Sequence, residues 1–183
     1  MGQFLRLASG VDVTPLLLEL HRSPALWDIH TNRQSYPNTP HRDTKTIFVR
    51  FRSETELSGK QSYNEQHRNV FWPAWQALPS LRPLVFNLMT RVAGVELGTV
   101  LITRLPPGGA ILPHSDRGSW AAEYYQTKCH LVLAGSSLSR CVDDAVTMVS
   151  GDCWTFDNLL IHSVENRGDC DRICLIVSMR TER

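Results

Sequence analysis

GDCWTFDNLLIHSVENRGDCDRICLIVSM, residues 151–179, decides the fold because it contains three short β-rich runs with turn residues between them. Five similar runs precede it, and no helical pattern separates any of the eight. The eight predicted strands lie near residues 98–105, 109–114, 128–134, 138–142, 145–149, 152–157, 161–166 and 172–179. Consecutive short strands with breakers rich in Gly, Pro and Ser are typical of a jelly roll or a small barrel.

The N-terminal part of the chain has a different pattern, with two helix signals. Thr14-Pro15 can begin a helix, with Thr14 as the N-cap and Pro15 in the first turn. A second helix is predicted from about Leu81 to Ala93, with Gly94 directly after its end. The chain is therefore predicted to be mainly β, with flanking N-terminal helices.

Between these two helices lies a polar segment, residues 28–45, which two prolines interrupt. It is predicted to be a loop or lid that leads into a strand at residues 46–51. A chain of 183 residues is expected to form one domain. In that domain, residues 1–96 would form a helical, lid-forming part and residues 97–183 the β core.

Composition and charge exclude several classes of protein. Hydrophobic residues make up 42% of the chain and charged residues 20%, which is typical of a globular protein and argues against disorder. The formal net charge is only +1, so a nucleic-acid partner is not expected. No run approaches the roughly 18 apolar residues of a membrane span, and the start lacks an apolar signal-peptide core. We therefore expect a cytoplasmic protein without a membrane partner.

The five cysteines do not have the spacing of a disulfide scaffold or of a zinc ribbon. Their neighbours are mostly apolar, so we expect reduced residues in the core of a cytoplasmic protein. They are Cys129, Cys141, Cys153, Cys170 and Cys174.

Three residues have the chemistry of a metal site. His114 and Asp116 are two apart, so in an extended chain their side chains point to the same side. His162, at the start of a later predicted strand, could supply a third ligand. Two histidines and one carboxylate on one face suit a non-heme Fe(II) ion that must also bind a cosubstrate and dioxygen. The alternative is an ordinary turn histidine beside a capping Asp116.

Arg172 opens the last predicted strand, ten residues after His162. If the runs 161–166 and 172–179 form a hairpin, both side chains point to one face, roughly 13 Å apart. A short dicarboxylate could then bind the metal at one end and the forked guanidinium of Arg172 at the other. The alternative for Arg172 is a surface charge that closes a turn with Asp171.

Four motifs in this order resemble the aspartyl/asparaginyl β-hydroxylase family. They are PPGGAILPHSDRG at 106–118, CHLVLAG at 129–135, GDCWTFDNLLIHSVENRG at 151–168 and RICLIVSMR at 172–180. The resemblance covers residues 97–180, and a weaker match upstream rests on His41-Arg42-Asp43-Thr44 before the strand that ends at Arg50. It implies an Fe(II)- and 2-oxoglutarate-dependent oxygenase with a double-stranded β-helix, a cupin-like jelly roll.

The resemblance also implies roles for single residues. His114 and His162 match the two histidine ligands, and Asp116 fills the place of the carboxylate ligand. Arg172 matches the residue that binds the far carboxylate of 2-oxoglutarate, and His130 matches a histidine near that cosubstrate. Without the resemblance, His130 would be interpreted as a core histidine of a strand. Some members lack the carboxylate, including the animal enzymes that act on epidermal-growth-factor-like domains, so this chain is not expected to share those substrates.

Candidate substrate-binding residues come mainly from the N-terminal part. Arg33, His41 and Arg50 could form a wall that recognises the substrate, and Arg117 could contact a substrate carboxylate directly after the metal motif. The alternative for each is an ordinary place on the surface.

The predicted activity is hydroxylation of an unactivated C–H bond, with Fe(II) as the metal and 2-oxoglutarate and O2 as cosubstrates. The expected substrate is a free amino acid or an amino-acid-derived small molecule. A side chain within a protein or peptide is the second choice, and a nucleic acid the third. The rival class is a non-catalytic cupin-like binding module. The sequence makes no prediction about the oligomeric state.

Overall fold

A computed structural model describes residues 2–58 and 65–182. Within them the strands are β1 (Phe4–Ala8), β2 (Lys45–Arg52), β3 (Asn69–Phe71), β4 (Gly94–Leu105), β5 (Ala110–His114), β6 (Thr127–Ala134), β7 (Ser136–Cys141), β8 (Asp144–Val149), β9 (Cys153–Phe156), β10 (His162–Glu165) and β11 (Arg172–Thr181). The helices are α1 (Thr14–Arg22), α2 (Asn32–Ser35), α3 (Glu54–Ser58), α4 (Ala74–Ala77), α5 (Leu81–Arg91) and α6 (Trp120–Tyr124), with a 3-10 helix at Pro24–Asp28.

The strands form two antiparallel sheets. The larger sheet has the order β1-β9-β6-β11-β4-β2-β3, and the smaller has the order β5-β10-β7-β8. Of the last eight strands, β4, β6, β9 and β11 belong to the larger sheet and the other four to the smaller. This distribution is that of a double-stranded β-helix, or jelly roll. The predicted fold class, mainly β with N-terminal flanking helices, is confirmed.

The predicted hairpin between the last two strands is wrong. Strand β10 pairs with β5 and β7 in the smaller sheet, whereas β11 pairs with β4 and β6 in the larger one. The connection between them crosses from one sheet to the other. Buried Asn166 supports this crossing, because its side-chain amide donates hydrogen bonds to the carbonyls of Leu105 and Cys170, at 2.9 and 2.8 Å. The turn residues after Asn166 are compatible with both a hairpin and a crossing.

Two helices pack against the larger sheet because each has one apolar stripe. In α1, buried Leu16 and Leu20 are four residues apart. In α5, Leu81, Val85 and Leu88 are buried. All five belong to one core cluster with residues of the larger sheet such as Val100 and Leu175.

The ends of these helices differ slightly from the prediction. Val13, not Thr14, is the N-cap of α1, and the Thr14 amide donates to the Asp12 carboxylate at 3.0 Å. After α5, Ala93 has the positive φ of 53° that a helix C-terminus often requires. Gly94 has a packing role instead, since a Cβ there would lie only 2.6 Å from the Met179 sulfur.

Several further elements were not predicted. They include β1, which pairs with β9 at one edge of the larger sheet, and the short strand β3 at the other edge. The prediction that no helix separates the eight C-terminal strands is wrong at one place, because the short helix α6 lies between β5 and β6. All five cysteines are unpaired; four are buried, and Cys170 is exposed. Among the described residues, no helix is both long enough and apolar enough to span a membrane.

Candidate metal centre

The two histidines of the metal motif meet across the smaller sheet. His162 on β10 pairs with His114 on β5, and their ring centroids are 4.3 Å apart. Asp116 follows two residues after the end of β5, and its Oδ1 lies 3.7 Å from His114 Nε2. One donor atom from each of the three residues lies within 4.8 Å of the other two. The structure thus brings together the three predicted ligands, here called the His–Asp–His group.

Backbone carbonyls orient both imidazole rings. Nδ1 of His114 donates to the Leu112 carbonyl at 2.8 Å, and Nδ1 of His162 donates to the Leu160 carbonyl at 2.9 Å. Because Nδ1 carries the proton in each ring, the lone pair of Nε2 is available to a metal. Burial lowers the pKa of both histidines below the usual value, which favours the neutral form that binds metals.

One carboxylate oxygen of Asp116 is hydrogen bonded to neighbouring side chains, and the other faces His114. Its Oδ2 accepts hydrogen bonds from Lys128 Nζ and, at 3.0 Å, from Asn158 Nδ2. Burial acts to raise the pKa of Asp116, but the charge and hydrogen bond of Lys128 outweigh it, so the pKa lies well below the usual value. Asp116 is therefore an ionised carboxylate with Oδ1 turned toward His114.

This donor set fits a divalent metal ion. Each residue of the His–Asp–His group has one donor atom free and its other polar atom hydrogen bonded, which is typical of ligands with an ordered outer shell. Two imidazoles and one carboxylate leave further coordination positions open, the arrangement of non-heme Fe(II) oxygenases.

Arg172 lies in the same cavity as the His–Asp–His group, here called the inner chamber. Its side chain is 1% exposed. Its guanidinium makes one hydrogen bond, at 3.5 Å to Thr103 Oγ1, while Nε has no partner among the described residues. A buried cation normally requires an anion close by, and the described part of the chain supplies Arg172 with no ion pair. The guanidinium is therefore suited to receive a carboxylate from a ligand.

His130 also lines the inner chamber, from strand β6 beside β11. Its ring stacks on Phe156, with centroids 4.9 Å apart, and its Nε2 has no partner in the described part of the chain. Burial first, then the charges of Lys128 and Arg172, lower its pKa well below the usual value. A neutral His130 can exchange a hydrogen bond with a ligand, and it also contributes to packing.

The polar segment at residues 28–45 contains the short helix α2 and contacts the strand that leads to the metal group. The Leu112 amide donates to the Pro40 carbonyl at 3.0 Å, which attaches this segment to β5. Arg33 and His41 line the inner chamber and also a second cavity, which shares His114 and Asp116 with it and is here called the outer chamber. Exposed Arg117 lines the outer chamber as well.

Arg33 and His41 form a pair beside the metal group. Arg33 donates from Nη2 to His41 Nε2 at 2.9 Å, and the rings of His41 and His114 meet edge to face with centroids 4.9 Å apart. Burial first, and then the charge of Arg33, lower the pKa of His41 to about 2. His41 is therefore neutral, and the positive charge of the pair belongs to Arg33.

Arg50 does not lie near the metal group. Its Nη1 donates to the Gly98 carbonyl at 2.6 Å, and its guanidinium lies over the ring of Phe71 at 5.3 Å. It lines a separate groove with Trp120. The register between β2 and β4 shifts just before Arg50, and regular alternation along the strand did not predict this shift. Of the three residues predicted to form a substrate-recognising wall, Arg33 and His41 lie together beside the metal group and Arg50 does not.

Two residues of the centre were missed in the sequence. Lys128 lies two residues before His130 on β6, so alternation along a strand could have placed it on the same face. Asn158 lies in the loop before β10, and no local pattern indicates that it contacts Asp116.

One family model matches the chain. The family model for aspartyl/asparaginyl beta-hydroxylase matches residues 54–182, so the match begins upstream of the four quoted motifs and leaves residues 1–53 outside. No curated protein matches the chain in sequence.

Among solved structures, the chain is similar to proteins of the cupin type. One is a sugar phosphate isomerase of the cupin superfamily from Silicibacter pomeroyi, with 18% identity over 80% of this chain and 68% of that one, at a TM-score of 0.43. A cupin domain from Bordetella pertussis is 20% identical over 47% of this chain and 84% of its own, at a TM-score of 0.37. A predicted oxalate decarboxylase from Thermotoga maritima is 22% identical over 46% and 67%, at a TM-score of 0.38.

The family model covers well over half of the chain and includes every residue of the His–Asp–His group, together with His130 and Arg172. It therefore supports a hydroxylase. The chain belongs to the aspartyl/asparaginyl beta-hydroxylase family.

Proposed function

We propose that this protein is an Fe(II)- and 2-oxoglutarate-dependent dioxygenase that hydroxylates an unactivated C–H bond of a free amino acid or an amino-acid-derived small molecule. The observation that carries the proposal is the inner chamber, where the His–Asp–His group and a buried guanidinium without an ion-pair partner among the described residues face one cavity. In this proposal residues 97–183 form the catalytic core of a single cytoplasmic domain, and residues 1–96 flank it.

His114, Asp116 and His162 would hold the iron. When bound, Fe(II) together with 2-oxoglutarate and O2 would supply the oxidising power for the C–H bond, which no side chain of this protein can supply. Three protein ligands would leave further coordination positions for both cosubstrates. The carbonyls of Leu112 and Leu160 keep both imidazoles in the orientation that a metal requires.

Arg172 would bind the far carboxylate of 2-oxoglutarate. Its guanidinium can form two parallel hydrogen bonds with a carboxylate, and its burial strengthens them because water is excluded. His130, next to it in the inner chamber, would donate or accept a further hydrogen bond. Both residues lie on central strands of the larger sheet, so the cosubstrate would meet preorganised groups.

The outer chamber would bind the substrate. Its volume of about 370 Å³ suits a metabolite, and it borders His114 and Asp116. Arg33 provides a partly buried positive charge there, and Arg117 provides an exposed one. Both could attract the carboxylate that every free amino acid carries. The His41–Arg33 pair would keep the charged end of Arg33 close to the metal group.

A side chain within a protein or peptide is a second candidate substrate. It is favoured by the family description, which names hydroxylation of aspartyl and asparaginyl residues. Exposed Arg117 and Tyr36 at the outer chamber could contact a chain that extends beyond it. A non-catalytic cupin-like module, the rival class, would need no iron-dependent turnover, and nucleic acid is not expected as a partner.

Mass spectrometry can test the proposal directly. The protein is incubated with Fe(II), 2-oxoglutarate and O2, together with a panel of free amino acids and, separately, a library of peptides. A product heavier by one oxygen, formed from a small molecule and absent with His162→Ala, supports the proposal. Products only from peptides would favour the second candidate. No product, together with no consumption of 2-oxoglutarate, would contradict an oxygenase.

A further inference from the structure

Asn158 and Asp116 are joined by two hydrogen bonds that run in opposite directions. The Asn158 side chain donates from Nδ2 to Asp116 Oδ2 at 3.0 Å. In return, the backbone amide of Asp116 donates to the Asn158 carbonyl at 3.1 Å. Together the two bonds hold both the main chain and the carboxylate of Asp116 against one residue. We call this pair of hydrogen bonds the Asn158 clasp.

The clasp is part of a larger connection between two loops. Ser115 Oγ donates to the Leu159 carbonyl at 2.7 Å, next to the clasp, and accepts from the Arg117 amide at 3.0 Å. The loop after β5 is therefore attached to the loop before β10. Since β10 begins with His162, this connection links the segment that carries Asp116 to the segment that carries the second histidine ligand.

The burial of Asn158 indicates that its side chain has a specific purpose. It is 1% exposed, and its Oδ1 has no hydrogen-bond partner in the part of the chain that the structure describes. A buried amide with an unsatisfied oxygen costs free energy, and an apolar side chain of similar volume would avoid that cost. Among the described residues, the only side-chain hydrogen bond of Asn158 is the one to Asp116.

Lys128 shares Oδ2 of Asp116, but it acts differently. Its charge keeps the carboxylate ionised and would also repel a bound cation. Its long side chain has several rotatable bonds and restrains the carboxylate plane less than a short amide does. The Asn158 amide is neutral and short, and the backbone bond of the clasp holds its residue against Asp116, so it can orient the carboxylate without adding charge.

We propose that Asn158 is a positioning residue of the metal centre, which occupies Oδ2 of Asp116 and so presents Oδ1 as a single-oxygen ligand beside His114 and His162. This inference rests on the proposed function, because it requires that the His–Asp–His group binds a metal. It assigns a role to a residue that none of the sequence motifs indicated.

Binding of Mn²⁺ tests the inference without any need for turnover. Free Mn²⁺ has a strong six-line electron paramagnetic resonance signal that falls on binding, so the dissociation constant follows from a titration of the metal-free protein. Asn158→Leu, which is neutral and similar in volume, is expected to weaken Mn²⁺ binding about 10- to 100-fold, the usual cost of losing an outer-shell partner. Asn158→Ala has the same expectation and serves if the leucine variant does not fold. Asn69→Leu, another buried asparagine outside both chambers, is the matched control and should bind Mn²⁺ like the wild type.

A double-mutant cycle separates positioning from a general loss of structure. In an Asp116→Ala background, Asn158→Leu should weaken Mn²⁺ binding by no more than about twofold, because no carboxylate remains to be oriented. Unchanged Mn²⁺ affinity in Asn158→Leu would overturn the inference and leave the metal centre in place. An equal loss in the Asp116→Ala background would also overturn it. If the wild-type protein itself binds no Mn²⁺, the proposed function is contradicted first.

Discussion

The two sides of the metal group differ in how they are built. On the inner side, Arg172 and His130 belong to β11 and β6, neighbouring strands at the centre of the larger sheet. On the outer side, Arg33 and His41, which also reach the inner chamber, belong to a segment of short helix and loop, and exposed Arg117 follows β5. Central strands hold side chains rigidly, whereas loops on a rigid scaffold tolerate change and often carry specificity. In the proposed function the inner side would therefore serve the chemistry and the outer side the choice of substrate.

The largest loss of activity is expected from substitutions in the His–Asp–His group, which borders both chambers. His162→Ala removes a buried ligand and should abolish metal-dependent turnover and weaken metal binding. His21→Ala, on the exposed end of α1, is the control and should leave both unchanged. The measurements are 2-oxoglutarate consumption and Mn²⁺ affinity. Full activity of His162→Ala would contradict the assignment of the group.

The next effect concerns the inner side alone. Arg172→Lys keeps the charge but loses the forked carboxylate contact, so the 2-oxoglutarate concentration at half-maximal rate should rise about 10- to 150-fold, the equivalent of about 1.5–3 kcal/mol for a bond to a charged group. Metal affinity should stay unchanged. Arg104→Lys, at a partly exposed ion pair with Asp171, is the matched control. An unchanged requirement in Arg172→Lys would show that another residue binds this carboxylate.

Substitutions on the outer side should lower substrate hydroxylation and leave the binding of metal and 2-oxoglutarate unchanged. Arg33→Ala should lower hydroxylation of the substrate about tenfold or more, since a charge-assisted contact contributes about 1.5–3 kcal/mol. Binding of metal and of 2-oxoglutarate should persist, so 2-oxoglutarate consumption becomes uncoupled from product. Arg50→Ala is the control, because Arg50 lies in the separate groove. If Arg50→Ala lowers coupling and Arg33→Ala does not, the outer side is wrongly assigned.

Arg117 should give the smallest effect. It is exposed at the rim of the outer chamber, and contacts between exposed charges contribute at most about 1 kcal/mol. Arg117→Ala should therefore raise the KM for the substrate no more than about fivefold and leave kcat unchanged. High salt should shrink this difference, because exposed charges are screened. A loss as large as that of Arg33→Ala would place the substrate carboxylate at the rim instead.

Features of the fold that depend on neighbouring residues could be predicted from the sequence, and features that depend on distant contacts could not. All eight C-terminal strands lie where they were predicted, because alternation and turn residues act within a few positions. The predicted hairpin of β10 and β11 is wrong because strand pairing depends on contacts across the whole sheet. The short turn between two strands does not determine whether they pair. The same limit applies to Arg50, whose side chain follows a register shift that alternation does not show.

The His–Asp–His group contains both kinds of feature. His114 and Asp116 could be placed together from their spacing of two residues in an extended chain. His162 is a candidate third ligand from its place at the start of a predicted strand, and the resemblance implies the same role. Its pairing with His114 across β5 and β10 has no signal in the spacing. The contact between Asn158 and Asp116, 42 residues apart in the chain, has no local sequence signal.

The central claim is that one cavity holds both iron and 2-oxoglutarate, and visible absorption under anaerobic conditions tests it most directly. When 2-oxoglutarate is added to the Fe(II)-loaded protein, we predict a weak charge-transfer band that saturates with the cosubstrate. The band should need more 2-oxoglutarate with Arg172→Lys and be absent with His162→Ala. A wild-type protein that binds Fe(II) but shows no band at saturating 2-oxoglutarate would contradict the account.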